Sequence, residues 1–341
     1  MDTTISPTSV SHHAVWLLLI GAVLSLATLL ILFQKHINGE PLLPYEARRR
    51  VPWGVGATLL AVYLVIMHLL APLLSSEPAT ADEFEPAKYI WLGWLNIGLI
   101  LFLSAVVVGW LVVICQATRR DLGLPESGKQ FLADIRLGTI ACLASLVPVF
   151  LLLLLAQFAI PTHTQHPLLE QLAKTPSPLI FLTAAGAAIL AAPISEEIIF
   201  RLLLQGALER YEDQWIGHAF TQRNKTVASI QNLSVPPTDS QDEPKIAESS
   251  MDGSFPDDSP GAVPPTEGPF PDLPFGWAPI LASGLLFGLA HFGHGIDPIP
   301  LFAFGVVLGY LYQRTHRMVP CITAHMLFNS FSLAVAWLQL G

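Results

Sequence analysis

Charge is what this sequence has least of. Only 13% of its 341 residues are Asp, Glu, Lys or Arg, against about 25% in an ordinary soluble domain, so a water-facing surface cannot be maintained along the whole chain. Cysteine is almost missing too. Cys115, Cys142 and Cys321 are an odd number without metal-type spacing, which excludes a disulfide framework or a zinc knuckle and leaves them as packing residues of apolar segments. Residues 1 to 13 contain Asp2 and neither Lys nor Arg, so the first apolar run lacks the basic region of a signal peptide and is expected to remain as a helix. Internal repeats of the kind that mark many transporters are also lacking. A soluble enzyme, a nucleic-acid binder and a fibrous protein are all poor readings.

What fills the chain instead is apolar: 52% of the residues are hydrophobic, and runs of about 20, the length that crosses a ~30 Å hydrocarbon core, recur along it. The runs predict an all-α, polytopic membrane helix bundle of about eight transmembrane helices. The spans are expected near Ala14–Phe33, Trp53–Leu74, Ile90–Cys115, Gly138–Ile160, Pro178–Leu208, Trp277–Phe292, Pro298–Gln313 and Pro320–Leu340. Residues 1–176 form an N-terminal four-helix region and residues 177–341 a second region that carries the unusual polar residues.

Of the 17 Lys and Arg residues, 14 fall in the first, third, fifth and seventh connections. Positive residues are retained on the cytoplasmic side, which places both termini outside and the odd connections within. The net charge of −9 is concentrated in one of them: 11 acidic and three basic residues lie between Glu212 and Asp272, leaving 15 acidic and 14 basic elsewhere. Residues 212–274, rich in Ser, Asp and Pro, are expected to be a disordered acidic cytoplasmic insertion, because they cannot bury enough apolar surface to offset their ordering entropy.

Ionisable residues inside a span are costly and tend to mark function. Of His, Asn, Asp, Glu, Lys and Arg residues the first four spans hold only His68 and Asn96, which read as packing residues. The last four hold Glu196, Glu197 and Arg201, then His291, then His325 and Asn329. Glu197 and Arg201, four apart, share a helix face and can pair, while Glu196 is turned about 100° away and left free as a candidate general base. Pro193, just upstream, can kink the helix. At 1.5 Å per residue, Glu196 lies about 18 Å from Leu208, His291 about 21 Å from Trp277, and His325 and Asn329 about 8 and 14 Å from Pro320. All four are reached from the cytoplasmic side, so one cavity could collect a carboxylate, two imidazoles and an amide. Such a set can activate water and stabilise an oxyanion.

Glu196-Glu197-x-x-x-Arg201, Phe287-x-x-x-His291 and His325-x-x-x-Asn329, in that order on successive helices, resemble the CPBP family of intramembrane proteases. That family includes the type II CAAX prenyl endopeptidases and bacteriocin-processing or immunity relatives. The resemblance runs from Glu196 to Asn329 and does not reach the first four spans; the acidic insertion departs from the family pattern. It implies an endopeptidase with Glu196 as the water-activating base, His291 as its partner in holding that water, and His325 with Asn329 as oxyanion stabilisers. Glu197, Arg201 and Phe287 would be supporting residues, and His294 is left out of the site.

The resemblance also implies a glutamate mechanism with no cofactor. A zinc-dependent version would use Glu196, His291 and His325 as ligands, although the sequence has no His-Glu-x-x-His pattern. The implied substrate is a peptide or prenylated protein entering from the cytoplasmic side of the bilayer, with no nucleic acid involved. A transporter or proton-coupled carrier, and a non-catalytic immunity or scaffold protein, are the competing readings of the same residues.

Overall fold

The computed structural model describes residues 11–43, 51–74, 85–160, 177–212, 276–292 and 295–340. Among these there is no strand. The chain forms eight helices: α1 (His12–Ile37), α2 (Val55–Leu74), α3 (Pro86–Val113), α4 (Gly128–Ala159), α5 (Pro178–Glu212), α6 (Ala278–Leu289), α7 (Pro298–Thr315) and α8 (Met318–Leu340). Five of them, α1, α3, α4, α5 and α8, are long and apolar enough to cross a membrane, and α2 and α6 are shorter apolar helices. The protein is an integral, multi-pass helix bundle.

α1 and α3 present little of their surface to protein. On α1 only Ala14, Gly21 and Ser25 are buried, and on α3 only Ile97, Ser104 and Leu111, a narrow stripe at seven-residue spacing. Most of the other large apolar side chains of both helices, among them Trp16, Leu30, Trp91 and Leu103, are exposed, which suits a lipid solvent and would be untenable in water. Small residues set the close approaches. A Cβ on Gly138 of α4 would sit 2.5 Å from the Pro320 carbonyl oxygen of α8, and a Cβ on Gly305 of α7 would sit 2.9 Å from Gly284 Cα of α6. Helices in lipid associate by this kind of backbone proximity, since there is no hydrophobic gain in leaving the lipid.

α4 begins ten residues earlier than the apolar pattern predicts. Ser127 caps it by accepting from the Gln130 N–H at 3.2 Å, and the added turns carry Asp134, which forms a buried ion pair with Arg317 between α7 and α8. α6 ends earlier than expected, at Leu289. The His291 N–H bonds back to the Gly288 carbonyl at 3.0 Å and the Phe292 N–H to Leu289 at 2.9 Å, three-residue steps that tighten the chain into a turn. His291 therefore stands just past α6, not inside it. Gly288, beside that end, packs closely on the start of α7: a Cβ there would be 2.6 Å from the Pro298 oxygen.

The odd connections meet at one end of the bundle. Arg314, at the end of α7, donates from Nε and Nη2 to the Leu43 carbonyl at 3.0 and 2.7 Å. Arg210 of α5 donates from Nη1 to the Val51 and Trp53 carbonyls at 3.1 and 2.7 Å. The Met318 N–H reaches the Gly123 carbonyl at 3.0 Å, and the Gly276 N–H reaches Glu212 Oε2 at 3.0 Å. The first, third, fifth and seventh connections thus share a side, as an alternating eight-helix path requires. Apart from Glu212, which ends α5, the acidic insertion lies outside the described residues. The N-terminal and C-terminal halves share one apolar core, which joins Trp53, Leu111, Leu146, Phe200, Phe287, Phe304 and Leu311.

Candidate active site

The site is built on an interruption in α5. The π turn before Pro193 bonds five residues back, as the Ala192 N–H does to the Ala187 carbonyl, and in that register the N–H that Pro193 lacks would have served Ala188. Residues Gly186–Ala191 run as a π-helix, Ala192–Glu197 return to α, and Ile198–Gln205 run as a second π segment. Single π turns inside α-helices often occur at functional positions, and here they bracket Glu196 and Glu197. The freed Ala188 carbonyl is satisfied from α8, by Asn329 Nδ2 at 2.7 Å. Asn329 therefore ties α8 to the distorted turn, a contact that spacing along α8 could not foretell.

Glu197 and Arg201 are both fully buried and joined by a hydrogen-bonded ion pair, Arg201 Nε to Glu197 Oε2 at 3.1 Å. The other Glu197 oxygen, Oε1, accepts from His325 Nδ1 at 2.9 Å. Because a carboxylate only accepts, this bond places a proton on Nδ1 and turns Nε2 toward Glu196. Glu196 Oε2 lies 3.7 Å from that nitrogen, beyond direct hydrogen bonding. The same oxygen is buried and has no hydrogen-bond partner, although the Glu196 side chain as a whole is 13% exposed. A buried carboxylate oxygen without a donor is costly and is the kind of exception that calls for an explanation. Water could bridge the gap: one placed at ordinary distances of about 2.8 Å from both atoms would reach Glu196 Oε2 and His325 Nε2 together.

Aromatic rings hold the imidazoles. Phe287 of α6 is fully buried. The His325 ring meets it edge-on at 5.5 Å, and the His291 ring is tilted against it at 5.2 Å. Arg201 stands over its face at 5.2 Å, a cation–π contact that adds to the pairing of the guanidinium. Phe304 of α7 meets His325 edge-on at 5.7 Å and stacks on Phe328 at 4.3 Å. His291 donates from Nδ1 to the Phe287 carbonyl at 2.9 Å, leaving Nε2 as an acceptor.

Glu196, Glu197, Arg201, Phe287 and His325 thus form one connected cluster. His291 joins it through Phe287, and Asn329 joins it through the backbone of α5. The imidazole that stands 3.7 Å from Glu196 is that of His325. His294 lies outside the described residues. Among the described residues, no group of three His, Cys, Asp or Glu side chains is gathered closely enough to hold a metal ion. His68, bonded through Nδ1 to the Leu64 carbonyl at 3.0 Å and edge-on to Phe200 at 6.2 Å, packs on the outer side of α5 and takes no part.

Two contributors escaped the sequence reading. Ser283 of α6 accepts from Arg201 Nη1 at 2.7 Å and donates to the Phe200 carbonyl at 2.9 Å. Phe304 walls His325 from the α7 side. The spacing of Ser283, four residues before Phe287 and eight before His291, would have placed it on their face, but a hydroxyl in an apolar run does not stand out as a charge does.

Fold and site together define a class: a multi-pass membrane protein with a carboxylate–imidazole centre buried among its helices. Residues 269–331 match a family model described as Rce1-like, type II CAAX prenyl endopeptidase. That stretch contains Phe287, His291, His325 and Asn329, so the family resemblance carried by the second and third motifs is supported over both. The family is one of peptidases. No curated protein and no solved structure matches the chain.

Proposed function

We propose that this protein is an intramembrane endopeptidase of the CAAX-protease type that hydrolyses a peptide bond by direct attack of water activated at Glu196. The observation that carries the reading is the unpartnered, buried Oε2 of Glu196 facing His325 Nε2 across 3.7 Å. Glu196 takes a proton from the bound water as the hydroxide oxygen adds to the scissile carbonyl. The resulting oxyanion accepts from the second N–H of Asn329. Glu197 sits behind His325 and holds the ring in its Nδ1–H tautomer, as the buried aspartate does behind the histidine of a serine-protease triad. Glu196 then hands its proton to the leaving amine, the C–N bond breaks, and the new carboxylic acid gives its proton to the free amine, leaving a carboxylate and an ammonium group. His291 holds the water through Nε2, which the bond from its Nδ1 to the Phe287 carbonyl leaves free to accept.

No metal takes part in this scheme, and none of the steps passes through a cysteine or serine nucleophile. The substrate is a prenylated protein or a peptide that reaches the centre from the end where the odd connections meet, which the Lys and Arg bias assigns to the cytoplasm. Both termini then lie outside. Quantitative proteomics of membranes carrying either the wild-type protein or Glu196→Gln tests the reading. The expected result is a defined set of membrane-associated proteins that lose a C-terminal or internal segment only with the wild type. Identical proteomes would remove the enzyme assignment.

A further inference from the structure

We propose that Ser283 is a positioning residue for this centre, acting through Arg201 and Glu197 on His325; the inference rests on the hydrolytic reading above and extends it. Ser283 is fully buried, and its hydroxyl is used twice, as acceptor for Arg201 Nη1 at 2.7 Å and as donor to the Phe200 carbonyl at 2.9 Å. Phe200 lies inside the second π segment of α5, where the carbonyl spacing is irregular and an outside donor can bind without breaking the helix. The hydroxyl therefore fixes the guanidinium relative to the backbone of the helix that also carries both glutamates.

The consequence runs in one direction. Among the described residues Arg201 Nη2 has no hydrogen-bond partner, and polar contacts hold the guanidinium at Nε, on Glu197, and at Nη1, on Ser283. Without the serine hydroxyl the group can pivot about the single bond to Glu197. Glu197 Oε2 is the oxygen Arg201 engages and Oε1 the one that accepts from His325 Nδ1, so a pivot rotates the carboxylate and releases the ring. Nε2 of His325 then no longer faces Glu196, and the proton on Nδ1 is no longer fixed. Ser283 touches neither substrate nor water; it acts on geometry three groups away.

The test uses the full chain in lipid nanodiscs, with Ser283→Ala and Ser283→Thr. For Ser283→Ala, kcat on a peptide substrate falls by about tenfold to a hundredfold, the range expected when a hydrogen bond to a charged group is lost, while KM stays within about twofold. Ser283→Thr, which keeps the hydroxyl, recovers most of the rate. A second readout does not need activity. In ¹⁵N-histidine NMR, with the His325 signals assigned by their loss in His325→Gln, the wild type shows the Nδ1–H tautomer, Ser283→Ala shows a mixture of both tautomers, and Ser283→Thr restores the single form. If Ser283→Ala keeps both the single tautomer and the wild-type kcat, the positioning role is wrong while the hydrolase reading stands. If the tautomer responds as described but the wild type cleaves no peptide, the positioning role holds and the hydrolase reading fails.

Discussion

Removing the Arg201 guanidinium while leaving Glu197 in place strands a carboxylate in a fully buried site. Both side chains have no exposed surface. Arg201 also supplies the hydrogen bond to Ser283 and the cation–π contact on Phe287. Breaking such a pair by deleting one partner costs about 3–5 kcal/mol, whereas replacing both by apolar groups of similar volume is often neutral or stabilising. Arg201→Met is therefore expected to destabilise by about 3–5 kcal/mol, which at about 2 °C per kcal/mol for a chain of this size lowers Tm by roughly 6–10 °C. The double variant Arg201→Met with Glu197→Leu is expected to return to within about 1 kcal/mol of the wild type. It nevertheless stays inactive, because His325 Nδ1 has lost its acceptor. Thermal unfolding in detergent followed by tryptophan fluorescence, paired with a cleavage assay, separates the two effects. The reasoning is refuted if the single variant loses no stability, or if the double variant is as unstable as the single and regains activity.

Further expectations follow from the packing and the distorted helix. Gly305→Ala brings a Cβ to 2.9 Å from Gly284 Cα and 3.1 Å from Phe287 Cδ1; it should cost about 1–3 kcal/mol by overpacking and lower cleavage by displacing Phe287. Gly98→Ala, where nothing lies within 4 Å, should be neutral or slightly stabilising in the same unfolding measurement. Asn329→Ala removes the donor to the Ala188 carbonyl and is expected to lose about 1–3 kcal/mol together with cleavage, whereas a pure oxyanion donor would lose cleavage alone. Prolonged dialysis against a strong zinc chelator should leave the cleavage rate unchanged, and a loss restored by added zinc would overturn the metal-free scheme.

The number of helices and most of their limits could be read from apolar run length, because in lipid the backbone must satisfy itself within each helix and nearly every outward residue must be apolar. Pro178 and Pro298 mark true starts for α5 and α7, as residues that need not donate in the first turn. The start of α4 was missed because its first ten residues carry Lys129, Asp134 and Arg136. Its helicity comes from the Ser127 cap and the pairing of Asp134 with Arg317, a residue far along the chain.

Within the site, the Glu197–Arg201 spacing suffices for an ion pair. Which imidazole faces Glu196 was not legible, for two physical reasons. The π segments change the rotation per residue along α5, so a wheel drawn with a uniform α period misplaces what lies beyond them. Moreover, α6 stops at Leu289, where Gly288 meets the start of α7, and this moves His291 off the helix that its spacing assumes. The contacts of Ser283 and Asn329 with carbonyls of α5 depend on bonds that the same distortion makes available, and these have no signature in residue type.

The most direct measurement is cleavage of a prenylated reporter peptide by the purified protein, comparing wild type with Glu196→Gln after matching their unfolding temperatures. General-base catalysis of this kind contributes about 10²–10⁴-fold. The wild type should release a free amine at the cut site, and the glutamine variant, equally well folded, should be slower by at least about a hundredfold. A glutamine variant that cleaves at the wild-type rate would contradict the assignment of Glu196 as the base.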